Sequence, residues 1–259
     1  MTATKEELGC FLQTLANRIQ TLERGCPRRS VAGGNPASPT QLTKNKGDQL
    51  KQYHKIQTVF KRDPDTKFKT LLIGQYSLPE FDYLKDNEWA FTEKVDGTNI
   101  RVMWQGDNSQ PEFRGKTDRA MLPPQLLAKL PEWFTIDKMK DVFDDGNVCL
   151  YGEGYGLKIQ RGGKYRDDQS FVLFDVKVGE WWLQRKDVAD IGKKLEIDTV
   201  PIIGWGNLDD MVKATMDGFD SQWGDFIAEG IVARPNTELK TRSGHRIITK
   251  LKHKDFPSN

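Results

Sequence analysis

Cysteine and histidine are scarce in this chain of 259 residues, three of each, and neither falls in a metal-binding spacing. Cys10, Cys26 and Cys149 are odd in number and far apart, with no C-x-x-C pair, which excludes a disulfide framework and a zinc finger and leaves free thiols. His54, His245 and His253 form no H-E-x-x-H, so a zinc hydrolase of that type is excluded too. No stretch approaches the ~20 apolar residues that span a bilayer, and the N-terminus carries no apolar secretory segment. The expectation is a soluble cytoplasmic protein, in the host cytoplasm if the chain is viral, with no membrane partner. No fixed-period repeat is visible.

Charge is also scarce in the net, at +2, but it is unevenly spread. Residues 1–70 hold 13 Lys/Arg against 6 Asp/Glu, a net +7, and residues 240–254 carry Lys240, Arg242, Arg246, Lys250, Lys252 and Lys254. Basic runs are most often simply solvated, although a polyanionic partner would use them.

With 37% hydrophobic residues the chain can build one sizeable core plus an appendage. The appendage is read at 1–24 as an amphipathic helix, where Leu8, Phe11, Leu12, Leu15, Ile19 and Leu22 share a face and Thr4 with Glu7 makes a capping box. A linker follows at 25–48, with Pro27, Pro36, Pro39 and a Gly33-Gly34 pair and almost no large apolar residue. The helix's apolar stripe could equally dimerise or pack on its own domain, which leaves the oligomeric state open. From 49 to 259 short β-like runs dominate, at 70–73, 89–92, 100–104, 148–151, 170–178, 227–233 and 246–252. Helical patterns interrupt them at 123–130, 185–195 and 208–216. The pattern predicts an α+β domain of mainly antiparallel sheets around a cleft.

Lys94 is the first candidate for chemistry, in the K-x-D-G turn of Phe91-Thr92-Glu93-Lys94-Val95-Asp96-Gly97-Thr98-Asn99. Alone, this is an ordinary hairpin turn beside a solvated lysine. As a nucleophile toward phosphorus, a lysine reacts only as the neutral amine, which nearby cations or desolvation favour. Lys250 and Lys252 could supply the cations, since a strand's period of two puts both on one face. Four further segments stand between: Phe113-Arg114-Gly115-Lys116-Thr117-Asp118-Arg119, Tyr151-Gly152-Glu153-Gly154-Tyr155-Gly156, Phe171-Val172-Leu173-Phe174-Asp175-Val176 and Ala228-Glu229-Gly230-Ile231-Val232-Ala233-Arg234-Pro235. The glycines of the second are spaced G-x-G-x-G with no βαβ unit after them, which disfavours a Rossmann loop. Phe174, taken alone, is an ordinary core residue.

In this order the segments resemble the six motifs of the covalent nucleotidyltransferases, specifically ATP-dependent RNA ligases of the bacteriophage RNA ligase 2 type, from about Tyr53 to Phe256. The resemblance implies an ATP-grasp-like ligase domain with a nucleotide cleft, and a Lys94 that attacks the α-phosphorus of ATP to form lysyl-AMP. It further implies that Glu93 reads the adenine edge, that Lys116 contacts phosphate, that Glu153 accepts from the ribose hydroxyls, and that Phe174 stacks on adenine. By the same resemblance Glu229 would bind Mg²⁺ or Mn²⁺ or orient Lys94, and Lys250 and Lys252 would stabilise phosphate charge. Lys116 stands where the family usually has arginine, and a lysine lacks the planar two-pronged contact, so Arg114 or Arg119 could substitute. Only residues 253–259 follow Lys252, so the C-terminal OB domain of DNA ligases and capping enzymes is expected to be absent, as is the helical domain of the phage enzymes. The implied reaction joins RNA 5′-phosphate and 3′-hydroxyl ends, in RNA repair, with nicked duplexes or DNA-containing strands as further substrates. Competing readings are a DNA ligase, a capping guanylyltransferase and a catalytically silent nucleic-acid-binding module, which would not need Lys94, Glu153, Glu229, Lys250 and Lys252 together.

Overall fold

The runs rich in β-branched and aromatic residues become strands, and nearly all of them pair antiparallel. In the computed structural model, which describes residues 52–107 and 109–256, strands are numbered β1 to β13 and helices α1 to α5 in chain order. One sheet joins β1 (Gln57–Thr58), β4 (Trp89–Glu93), β11 (Ile202–Gly206), β12 (Gly230–Pro235) and β13 (Thr249–Lys252) in the order β1-β13-β12-β4-β11. A second joins β5 (Thr98–Trp104), β6 (Glu112–Gly115), β7 (Val148–Gly156), β8 (Gln169–Val178) and β10 (Asp198–Thr199) in the order β10-β8-β7-β5-β6, with β9 (Trp181–Trp182) added to β8. A small ribbon pairs β2 (Phe60–Arg62) with β3 (Leu71–Tyr76). Among the described residues only the short edge pairs β1 with β13 and β10 with β8 run parallel. The α+β expectation of mainly antiparallel sheets therefore holds, while the segments read as helix and linker, 1–24 and 25–48, lie outside the described residues.

Each sheet buries one face under helices. The second sheet packs Ile100, Val102, Trp104, Val148, Leu150 and Val176 against α2 (Pro124–Trp133), α3 (Ile136–Phe143) and α4 (Arg185–Leu195) through Leu126, Leu130, Met139, Val188, Ile191 and Leu195. The first packs Trp89, Phe91, Ile231, Ala233 and Leu251 against α1 (Pro79–Tyr83) and α5 (Leu208–Asp217) through Phe81, Leu208 and Met211. Burying an aliphatic or aromatic side chain in such a core contributes about 1.5–3 kcal/mol each, so these faces fix which way every strand points. The opposite faces of the two sheets are thereby left to line a cleft.

The helices stop and start for identifiable reasons. α4 closes at Glu196, which takes a left-handed conformation (φ 58°), and α5 opens on a capping box between Asn207 and Asp210. α2 runs past the expected end at Leu130 and through Pro131, with the Leu130 and Phe134 side chains on either side of the proline fully buried. α3, which the pattern missed, is two turns long and capped by Thr135, whose hydroxyl accepts from the Lys138 N–H at 3.3 Å.

Candidate active site

The K-x-D-G turn leaves β4 and enters β5, so it joins the two sheets. Gly97 has no alternative there: a Cβ would lie 2.2 Å from the Gly154 carbonyl oxygen and 2.9 Å from Cγ of Glu153. That close approach brings Lys94 and Glu153, from different sheets, to one cavity of about 370 Å³. Lys94, Glu93, Lys116, Glu153, Phe174 and Lys250 all line it, six of the eight residues singled out from the sequence.

The other two are brought in by strand register. β12 lies between β4 and β13, pairing Val232 with Thr92 on one side and Lys250 on the other, and all three face the cavity. Two residues along, the same register sets Gly230 opposite Lys252, and the Lys94 N–H donates to the Gly230 carbonyl at 2.9 Å. Glu229, just before β12, thus falls between the two lysines. Its Oε2 accepts from Lys94 Nζ, and its Oε1 lies 2.6 Å from Lys252 Nζ. Burial alone would raise the Glu229 carboxyl, but Lys94 and Lys252 hold it below its ordinary value.

Lys250 and Glu153 are left without such compensation. Lys250 has no carboxylate partner among the described residues; burial, then Lys94, Lys252 and Lys116, push it down to about 8. Burial pushes Glu153 up to about 8; Glu229 and Asp96 add to this, and Lys94 and Lys252 oppose it. Asn99 also lines the cavity, and its Oδ1 is buried with no partner among the described residues. In the sequence Asn99 stands only at the end of the K-x-D-G turn, with no signal of this role.

The Phe174 wall rests on a saturated ionic network. Asp175 is fully buried and accepts from Tyr53 Oη (2.6 Å), Arg234 Nη1 (2.9 Å) and Arg246 Nη1 (2.7 Å). Burial would raise its carboxyl, yet Arg234 and Arg246 hold it well below the usual carboxylate range. Arg246 also pairs with Glu238 and lies 4.2 Å over the Trp182 ring. Tyr53 packs edge-on to Phe174, ring centroids 5.0 Å apart, and joins His54 in lining the cavity. The sequence signals for this network were the Phe-Asp pair and the 240–254 basic run. That run is not one surface: Arg246 is buried, Lys250 and Lys252 turn toward the cleft, and Lys240, Arg242 and Lys254 are exposed.

Two assignments gain detail. Glu93 is buried, with Oε1 accepting from Ser221 Oγ at 2.6 Å and Oε2 from the Gln222 N–H at 2.8 Å, so its carboxylate is anchored to the 221–222 segment. Of the three cations considered in and just after β6, Lys116 alone lines the cavity. Arg114 pairs with Glu112, and Arg119 is exposed. The turn bearing Lys116 is held by the buried Arg101, whose Nε donates to the Gly115 carbonyl at 2.9 Å and whose Nη2 donates to Asp118 at 2.6 Å.

As to metal, no cluster of three or more His, Cys, Asp and Glu exists among the described residues. The site still suits a magnesium-type ion, which needs one or two carboxylates and takes substrate phosphate and water for the rest. Glu229 and Glu153 are the carboxylates available.

Comparison with curated proteins finds no match. Among solved structures, the chain is similar to a Naegleria gruberi RNA ligase with PPi, at 18% identity and a TM-score of 0.55, covering 83% of this chain and 61% of that one. It is also similar to a mutant of that ligase with ATP and Mn, at 19% identity and a TM-score of 0.54, covering 68% of this chain and 54% of that one. An apo mutant gives 18% identity, a TM-score of 0.54, and coverage of 68% and 52%. At such identities the likeness is one of fold, and the chain spans about half the length of the two mutant structures and 61% of the one with PPi. The RNA ligase family model matches residues 87–252, from just before β4 to the last residue of β13 and therefore across both walls of the cleft, and the chain belongs to the RNA ligase family.

Proposed function

We propose that the chain is an ATP-dependent RNA ligase that works through lysyl-AMP on Lys94. The observation that carries this reading is the Lys94–Glu229–Lys252 arrangement, with Lys250 one rung away on the same strand face. Glu229 aims the Lys94 amine into the cleft and is the nearest acceptor for the proton it loses. The amine nitrogen bonds to the α-phosphorus, the bond to the β-phosphate oxygen breaks, and pyrophosphate departs. Lys250 and Lys252 stabilise the charge that develops on the phosphates, and Lys116 extends that cationic wall. A divalent ion held by Glu229 and Glu153 would neutralise phosphate charge in the same place. Phe174 and Val200 provide apolar walls for the base, and Glu153 lies within the cavity where it could accept from ribose hydroxyls.

AMP then passes from Lys94 to an RNA 5′-phosphate, and a 3′-hydroxyl attacks that activated phosphorus and releases AMP. The Naegleria gruberi structures carrying ATP, Mn and PPi in the same fold support the nucleotide and metal in this reading.

The test is incubation with α-labelled ATP or GTP and Mg²⁺, then denaturing electrophoresis. Label from ATP alone, lost in Lys94→Ala, is expected. Label from GTP points to a capping enzyme, and no label, once pre-adenylated protein is excluded, leaves a binding module. Sealing assays on single-stranded RNA, nicked duplexes and DNA ends then define the acceptor.

A further inference from the structure

Arg185, the first residue of α4, reaches two main-chain carbonyls with its guanidinium. Nη1 donates to the Phe174 oxygen at 2.8 Å and Nη2 to the Val200 oxygen at 2.7 Å. Both of those residues line the nucleotide cleft.

They sit where the sheet's regular ladder fails. On β8, Leu173 pairs with Gly152 and Asp175 with Tyr151, so Phe174 is the extra residue of a β-bulge, a device that re-aims a side chain. On the other side, β10 follows β8 in parallel only through Thr199 opposite Leu173. The Val200 N–H closes a last bond on the Leu173 carbonyl at 2.9 Å before the chain turns at Pro201. Beyond that rung nothing in the ladder ties Val200 to Phe174, and the planar fork of Arg185 does so instead.

Arg185 has no ion pair among the described residues, and its Nε is buried without a partner. A guanidinium kept in this setting is not there to neutralise an acid. Burial, reinforced by the neighbouring Arg234, pushes it down to about 10, a cost consistent with a geometric purpose.

We propose that Arg185 is a positioning residue for nucleotide binding, fixing the separation and orientation of Phe174 and Val200 and hence the slot that takes the base. The inference rests on the ligase reading for the identity of the nucleotide. Lys94 is held independently, by the β4–β12 register in the other sheet, so loss of Arg185 acts on nucleotide affinity and not on attack at phosphorus.

The test uses Arg185→Met and Arg185→Lys in the full chain, with initial rates of covalent labelling followed across ATP concentration. The expected result is a KM for ATP raised about tenfold in Arg185→Met, partly restored in Arg185→Lys, with kcat within about twofold of wild type. A residue that only stabilised the fold would lower the melting temperature and the labelled fraction at unchanged KM, and that result overturns the proposal. If Arg185→Met does not fold, an unchanged KM in Arg185→Lys overturns it alone. Calorimetric ATP binding in a Lys94→Ala background separates the two readings, because no covalent step can occur there. About tenfold weaker affinity on adding Arg185→Met supports the role of Arg185 even if wild-type labelling fails and the ligase reading falls, whereas equal affinity overturns it.

Discussion

A buried and a half-buried ionic cluster lie within one cleft wall of each other, and they are built on opposite terms. Around Asp175 every charge is answered: one carboxylate meets Tyr53, Arg234 and Arg246, and Arg246 has Glu238 besides. Around Lys94 the accounts are left open. Glu229 is shared between two ammonium groups, Lys250 has no acid among the described residues, and Glu153 has no hydrogen-bond donor among them. A saturated cluster holds a wall in place, whereas an unsaturated one keeps free charge facing a cavity where a polyphosphate could complete it.

The sharpest way to break this contrast is to delete one carboxylate from each. Asp175→Ala strands the buried Arg234 and leaves the buried Arg246 with Glu238 alone, and is expected to cost about 3–5 kcal/mol in chemical denaturation. Glu153→Gln removes a group whose charged form burial disfavours, so its stability should be unchanged or higher. The sign follows from linkage: a carboxyl raised from 4.5 to about 8 in the folded chain contributes stability that is present below about pH 4.5 and lost as pH rises through 8. The wild-type stability profile should therefore decline between those values and the Glu153→Gln profile should flatten. Equal losses in the two variants would mean the clusters do not differ.

A second prediction concerns activity. Lys250→Met is expected to slow lysyl-AMP formation by about 100- to 1000-fold, the usual loss on removing a charge that stabilises the transition state, with the denaturation midpoint at pH 7 not lowered. A lysine depressed from 10.5 to about 8 in the folded state contributes stability present above its unfolded value and lost as pH falls through 8, so neutral pH already carries that penalty. The same value predicts that labelling declines above about pH 8 as Lys250 loses its proton. Lys250→Arg should move that falling limb upward; a limb that stays put assigns it to another group.

The contrast also explains what could be read from the chain. Local period made β4, β8, β12, β13 and α4 legible, since each carries enough apolar residues at its own spacing, and α4 was placed at its observed bounds. Elements with weak local signal were missed: β11 is an edge strand with Gly204 and Gly206 inside it, and α3 has only Met139 fully buried. The open cluster was legible because the motif order named its members without their geometry. The Asp175 cluster was not, because Tyr53, Arg234 and Arg246 lie 122, 59 and 71 residues from Asp175 and no local pattern links them. Register did the same for Glu229, which reaches Lys94 across 135 residues only because β12 lies beside β4.

The smallest expected effect tests whether facing the cleft, and not mere proximity in sequence, makes a cation part of the open cluster. Lys116, Arg114 and Arg119 lie within six residues, but only Lys116 lines the cavity. A point charge and a planar fork both attract phosphate, so Lys116→Arg should stay within about threefold of the wild-type labelling rate, while Lys116→Ala should lose about tenfold. Arg114→Ala and Arg119→Ala should leave the rate unchanged, since Arg114 is spent on Glu112 at the surface and surface pairs contribute little. If Arg114→Ala or Arg119→Ala slows labelling as much as Lys116→Ala, the turn held by Arg101 must rearrange when nucleotide binds, and the cleft wall defined by Lys116 would have to be redrawn around whichever arginine replaces it.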